Sequence, residues 1–171
     1  DELLLTIPNY AVTELEFEKS CRAPGMLSAV PDEYAWGGNF ITGATGISNV
    51  GLNNEIPNNS GANCAFNNAA GVQGPLRVGN FATSASNRQN SGATFYGVME
   101  MSGNLAELTI TVGSPLARNF TGNSGNGFID NNGEANETSW PNPGAAANFI
   151  YKGGDWLNGL TLLRVSDRTN P

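Results

Sequence analysis

The sequence predicts a single domain of mixed helix and strand in which irregular loops outweigh regular structure. Three observations carry this expectation. The 171 residues suffice for one domain of about 100 to 200 residues with its own core. Polarity rests on Asn, Ser, Thr and Gly more than on charge, with 22 Gly and about two dozen Asn against 13% charged residues, and these residues favour turns over helix interiors. Finally, one segment alone has a complete helix-start signal, and the β-branched runs are short.

That segment is Thr13-Glu14-Leu15-Glu16, a capping box in which the Thr13 hydroxyl takes the amide of Glu16 while Glu16 reaches back. It predicts a helix from about Glu14 to Cys21 that carries Leu15 and Phe17 and stops at Ala23-Pro24-Gly25. From Gly37 to Gly92 neither the helical period of 3.6 nor the strand period of 2.0 is sustained. Spaced apolar anchors, including Trp36, Phe40, Phe66 and Phe81, point there to loops packed on a core. Phe95 to Met101 reads as a turn-rich crossing, and Leu105 to Val112 as a strand ending in Thr109-Ile110-Thr111-Val112. Asn132-Gly133 predicts a hairpin over Gly127 to Gly133. Phe149 to Trp156 and Leu160 to Val165 read as short strands about a Gly-Gly bend, with Trp156 in the core.

Fifteen acids against eight bases give a net charge of −7, so no basic surface is left to meet a phosphate backbone or an anionic membrane. No stretch reaches the roughly 18 to 20 apolar residues needed to span a bilayer, which predicts no membrane insertion. The opening Asp1-Glu2-Leu3-Leu4-Leu5 lacks the basic start of a signal peptide, and the chain reads as mature or as cut from something longer. There is no His, which removes the commonest general base and metal ligand and leaves carboxylates, hydroxyls and two Cys.

Three segments, in order and across nearly the whole chain, resemble one family. Thr13-Glu14-Leu15-Glu16-Phe17-Glu18-Lys19 with Tyr34-Ala35-Trp36-Gly37 resembles the opening of the formylglycine-generating-enzyme (sulfatase-modifying factor) domain. The run from Tyr96 through Met101-Ser102-Gly103-Asn104-Leu105-Ala106-Glu107 to Thr109 resembles its "GLYDMSGNVWEWT" signature. Lys152-Gly153-Gly154-Asp155-Trp156 with Leu163-Arg164-Val165-Ser166-Asp167-Arg168 resembles its terminal "RGGSW…RVSxR". The resemblance implies an α+β fold of the C-type-lectin-like kind with much irregular loop, residues 1–171 matching the C-terminal two thirds of the family domain. Ala11-Val12 stands where the family has Leu-Pro, and Ala106 and Leu108 replace aromatic residues beside the signature Glu.

The resemblance also bears on chemistry. Family enzymes carry a cysteine pair after the "GGSW" motif that binds copper and activates oxygen. Here that stretch is Leu157 to Leu163, without a cysteine, and Cu(I) needs thiolate or thioether ligands; no copper is expected, and enzyme activity of the family type is disfavoured. A structural calcium is expected instead, held as in the family by the loop of Ser102, Gly103, Leu105 and Glu107, because a hard cation wants several oxygens and a tight turn can aim carbonyls at one point. The competing role for Glu107 is a bond to Arg164 or to a backbone amide. Arg164 and Arg168 are expected on one face of the last strand, tying the core to the signature loop. Cys21 and Cys64 form either a disulfide or two buried free thiols. The oxygen-rich run Asp130, Asn132, Glu134, Asn136 reads as a hairpin tip.

With the copper ligands gone and charge low, the expected function is non-catalytic recognition or assembly by a secreted or cell-surface bacterial protein, with a protein or glycan ligand or further copies of the chain as partners. Nucleic acid is not an expected partner. The expected contact residues are Leu157, Asn158, Leu160 and Thr161, where leucines occupy a bend; they either plug the fold or form an exposed patch. One variant of this reading is a retroelement-diversified variable ligand-binding protein. The enzyme alternative is an oxygen-dependent protein-modifying enzyme whose metal ligands lie outside this chain.

Overall fold

A computed structural model describes residues 12–23, 30–68, 74–123, 125–126, 128, 131, 136–142 and 144–169. The described residues form a mixed fold of few helices and two small antiparallel sheets. Helix α1, Glu14–Arg22, begins with the expected capping box: the amide of Thr13 donates to Glu16 Oε2 at 2.9 Å, and that of Glu16 to Thr13 Oγ1 at 3.2 Å. It runs one residue past the expected end, and Ala23 closes it with φ 74°.

Helix α1 buries Phe17 and Cys21 in the main core with Tyr34, Ala35, Trp36, Cys64, Met101, Leu163 and Val165. Sealing a side chain such as Phe17 contributes about 1.5 to 3 kcal/mol. Tyr34 and Trp36 stack at 5.2 Å. A second, smaller cluster joins Ala44, Ala62, Ala65 and Phe81, and Trp156 packs against it. Trp156 is thus half-buried beside the smaller cluster, a correction to its expected place in the core. Of the four loop anchors, Trp36 and Phe81 are buried and Phe66 packs on the main core, whereas Phe40 is exposed and gives only its carbonyl, to Trp36 Nε1.

Between residues 37 and 92 single amides hold the loops. Strands β1, Ile47–Ser48, and β2, Ile56–Pro57, pair over two residues each. Asn63 accepts from Thr42 N and donates to Gln89 O, both at 2.9 Å; Asn59 accepts from Thr45 N and donates to Gly43 O. Helix α2, Arg88–Ser91, is capped by Asn87 and ends at Gly92, whose φ of 71° and 2.4 Å clearance from the Asn63 carbonyl leave no room for a side chain.

Strands β3, Glu107–Ile110, and β4, Phe149–Lys152, pair from Glu107 with Lys152 to Ile110 with Phe149, and α1 packs against both. Both strands are shorter than the sequence suggests. β4 stops because Gly153 and Gly154 turn the chain with φ of 77° and 63°. No strand forms over 160–165: Leu163 and Val165 are core residues carried on turns, with Leu162 N bonded to Gly159 O and Val165 N to Glu33 O. Arg164 and Arg168 therefore do not share a strand face; Arg164 meets Asp32 at 3.1 Å, and Arg168 meets Glu14 and Glu18. The expected hairpin over Gly127 to Gly133, the run Asp130, Asn132, Glu134 apart from Asn136, and the Pro24-Gly25 stop lie outside the described residues. Among the described residues no helix is long and apolar enough to cross a membrane.

Candidate functional site

The run from Glu100 to Glu107 is a tight crossing pinned from all sides. Glu100, Gly103 and Asn104 adopt positive φ of 66°, 81° and 69°. Gly103 is obligatory, because a Cβ there would lie 2.4 Å from the Ala65 carbonyl and 2.5 Å from Cys64 Sγ. Its amide donates to Gly153 O at 2.7 Å, which ties the crossing to the end of β4. Asn104 binds three separate stretches: its amide donates to Ala65 O, its side chain takes the amide and meets the carbonyl of Leu76, and its carbonyl accepts from Trp156 N. The Ser102 hydroxyl accepts from Ala35 N and donates to Leu163 O.

Inside this frame lies a carboxylate with one oxygen left without a partner. Glu107 as a residue is only half-buried, but its Oε2 is sealed from solvent and makes no hydrogen bond. Burial holds its carboxyl well above the usual carboxylate range, and the nearby Glu100 pushes in the same direction. A side chain at Gly153 would meet Glu107 Oε2 at 2.6 Å and the Met101 carbonyl at 2.7 Å, so these two oxygens border the small space that the glycine leaves open. Neither competing role for Glu107 is seen at this oxygen, since Arg164 is drawn away to Asp32. Glu100 is buried beside this crossing, accepts from Gly79 N at 3.1 Å, and is pushed up to about 7 by burial.

The four residues expected to hold calcium separate into two kinds. The Ser102 hydroxyl and carbonyl are spoken for within the fold, the carbonyl by the Cys64 thiol at 2.9 Å. The carbonyls of Gly103 and Leu105 accept no hydrogen bond among the described residues, and Glu107 Oε2 is orphaned. An orphaned carboxylate oxygen and a carbonyl are the oxygen donors a hard cation takes, and the carbonyl shown beside Glu107 Oε2 is that of Met101. Among the described residues no group of three or more His, Cys, Asp or Glu gathers to hold a metal ion, at this crossing or elsewhere. Sequence reasoning missed Met101 and Glu100, and nothing in their spacing marks them.

Cys21 and Cys64 are free and buried, the second of the two expected arrangements; the disulfide is not formed. Cys64 points its thiol at the Ser102 carbonyl instead. Burial pushes the Cys21 thiol up to about 12 and Cys64 well above its ordinary value, which keeps both protonated.

The bend at 155–161 is built from its own amides. Asp155 Oδ1 accepts from Leu157 N and Asn158 N at 2.9 Å each, and Asn158 Oδ1 accepts from Asp155 N. The carbonyls of Trp156 and Asn158 accept from Asn68 N and Asn67 N, which fasten the bend to a distant loop. Leu157 is 52% exposed and Leu160 44%, with Thr161 exposed beside them and Asn158 half-buried. Compared with protein-family models, characterised proteins and solved structures, the chain matches none at a significant level.

Proposed function

We propose that this chain is a non-catalytic recognition or assembly module of a secreted or cell-surface bacterial protein, built on a scaffold like that of the formylglycine-generating enzymes, of the C-type-lectin-like kind. The observation that carries the reading is the bend of Leu157 to Thr161, where leucines stand in solvent on a backbone fixed by at least five hydrogen bonds. Exposed apolar side chains on a rigid support favour contact with another protein surface, here a second copy of the chain. Calcium has a structural part in this reading: Glu107 and the carbonyls of Gly103 and Leu105 hold it, and it supplies the charge that the buried carboxylate lacks. Oxygen-activating copper chemistry is not part of this reading, because the stretch Leu157 to Leu163 carries no cysteine to supply a thiolate pair.

The test is Leu157→Asp with Leu160→Asp. Both side chains are exposed, so the melting temperature should hold while concentration-dependent association, read by sedimentation, is lost. A wild-type chain that stays monomeric at every concentration would overturn the self-assembly reading.

A further inference from the structure

The bend at 155–161 holds a reactive pair as well as a surface. Asn-Gly occurs at Asn126-Gly127, Asn132-Gly133 and Asn158-Gly159, and the last of these lies wholly within the described residues. An asparagine followed by glycine is open to intramolecular imide formation, because no Cβ shields the amide nitrogen that has to attack. At Gly159 the backbone is bare: a Cβ there would meet nothing within 4 Å, and the amide donates no hydrogen bond among the described residues. The nucleophile is therefore free.

The electrophile is held. Asn158 Oδ1 accepts from Asp155 N at 2.9 Å, which draws the side-chain amide toward a residue on its N-terminal side, whereas imide closure needs it on the C-terminal side. Asn158 N donates to Asp155 Oδ1 at 2.9 Å and to Asp155 O at 3.1 Å, and the Asn158 carbonyl takes Asn67 N at 2.9 Å. The Asp155 carboxylate also takes Leu157 N, so it fastens two successive amides of the bend. Bringing Asn158 Cγ onto Gly159 N requires the bond to Asp155 N to break first, and the Asp155 carboxylate holds the turn in which that bond forms.

We infer that Asn158-Gly159 is a deamidation site kept shut by Asp155, which reacts from the opened bend and not from the closed one. In the reaction Gly159 N attacks Asn158 Cγ; a C–N bond forms and closes an imide ring, the Cγ–Nδ2 bond breaks, and ammonia leaves with the proton from Gly159 N. Water then opens the ring at either carbonyl and gives an aspartyl or an isoaspartyl residue. Both products place a negative charge between Leu157 and Leu160 in the chain, and the isoaspartyl product also turns the carbonyl that takes Asn67 N into a carboxylate. The effect on association rests on the assembly reading above; the chemistry at Asn158 does not.

The experiment incubates the full chain in mildly alkaline buffer, quenches samples in acid and digests them with trypsin, which releases residues 153–164 with Asn158 as their one asparagine. Chromatography with mass spectrometry separates the aspartyl and isoaspartyl forms. Asn158 should convert about tenfold more slowly in the chain than in the free peptide 153–164, since only the opened fraction reacts. Asp155→Ala should raise the rate in the chain toward that of the peptide, Asp155→Asn, which keeps an oxygen in place, should restore protection, and Gly159→Ala should slow the reaction in both. Equal rates in chain and peptide, or an Asp155→Ala chain that reacts no faster than wild type, would overturn the inference. If Asp155→Ala unfolds, urea below the global transition replaces it: the wild-type rate should rise there, and a rate that follows global unfolding alone would overturn the inference. Sedimentation of fresh and aged chain tests the assembly reading separately, because unchanged association after full conversion counts against that reading and leaves the chemistry standing.

Discussion

Glu14 and Glu107 both carry carboxylate oxygens hidden from water, and the fold treats them in opposite ways. Glu14, on the first turn of α1, accepts from Val112 N at 2.7 Å and Thr111 Oγ1 at 3.2 Å on one oxygen and from Arg168 Nε at 3.0 Å on the other. Glu107, on β3, leaves Oε2 with nothing. Arg168 also bonds Glu18, and Glu18 and Glu33 share Arg22, so the first helix, the loop at Glu33 and the chain end form one charge network. A satisfied buried carboxylate works as a joint between segments; an unsatisfied one stores a demand that a cation or a proton has to meet.

The largest effect should come from breaking the joint. Glu14→Ala leaves Val112 N and Thr111 without their acceptor and should cost about 3 to 5 kcal/mol in urea unfolding. Glu107→Gln, by contrast, should cost little or nothing in the presence of chelator, because a neutral amide takes the place of an ionisable group that burial already penalises. Equal losses at the two positions would erase the distinction drawn here.

Calcium should sharpen the contrast next. Binding to the native state alone adds about 2.7 kcal/mol at a concentration 100 times the dissociation constant. Thermal melts with calcium and with chelator should differ in the wild type and coincide in Glu107→Gln. Coincident melts in the wild type would mean that a proton alone meets the demand.

A further effect follows from pH without calcium. Glu100 is raised from an ordinary 4.5 to about 7 in the folded chain, and Glu107 is raised as well. Between those values the native state holds more protons than the unfolded one, so this contribution is complete below about pH 4.5 and is lost as pH rises through about 7. Urea unfolding should show stability falling over that window, and Glu100→Gln should flatten the slope. The smallest expectation concerns the thiols: neither Cys21 nor Cys64 should react with iodoacetamide at pH 8 until urea is added, since both are buried and protonated.

The elements legible in the sequence were the local ones. The capping box of Thr13 and Glu16 lies within four residues, and the structure reproduces it bond for bond. The crowding that makes Gly103 obligatory, against Ala65 O and Cys64 Sγ, comes from a distant loop and is not legible in the sequence around it. Between residues 37 and 92 the fold depends on single amides such as Asn63 reaching Gln89, and such contacts leave no period in the chain. Leu160 to Val165 misled for a related reason: Leu163 and Val165 are buried from turns, where strand-like alternation arises without a strand partner. The burial of Lys152, whose Nζ donates to Asp167 O at 2.6 Å, carried no sequence signal either, because a carbonyl acceptor has no residue identity.

Asn104 has a kinetic consequence. Its amide, side chain and carbonyl join it to Ala65, to Leu76, which is 28 positions away, and to Trp156 near the other end of the chain. Each of these bonds closes a long loop of its own, and closing loops before any contact rewards them is what makes topologically complex chains fold slowly. Helix α1, with its self-contained cap, can flicker into place early, whereas the crossing at Glu100 to Glu107 has to wait for most of the chain. Any site built on that crossing is therefore among the last parts of the molecule to exist, and a chain released before its final turn arrives would lack it entirely.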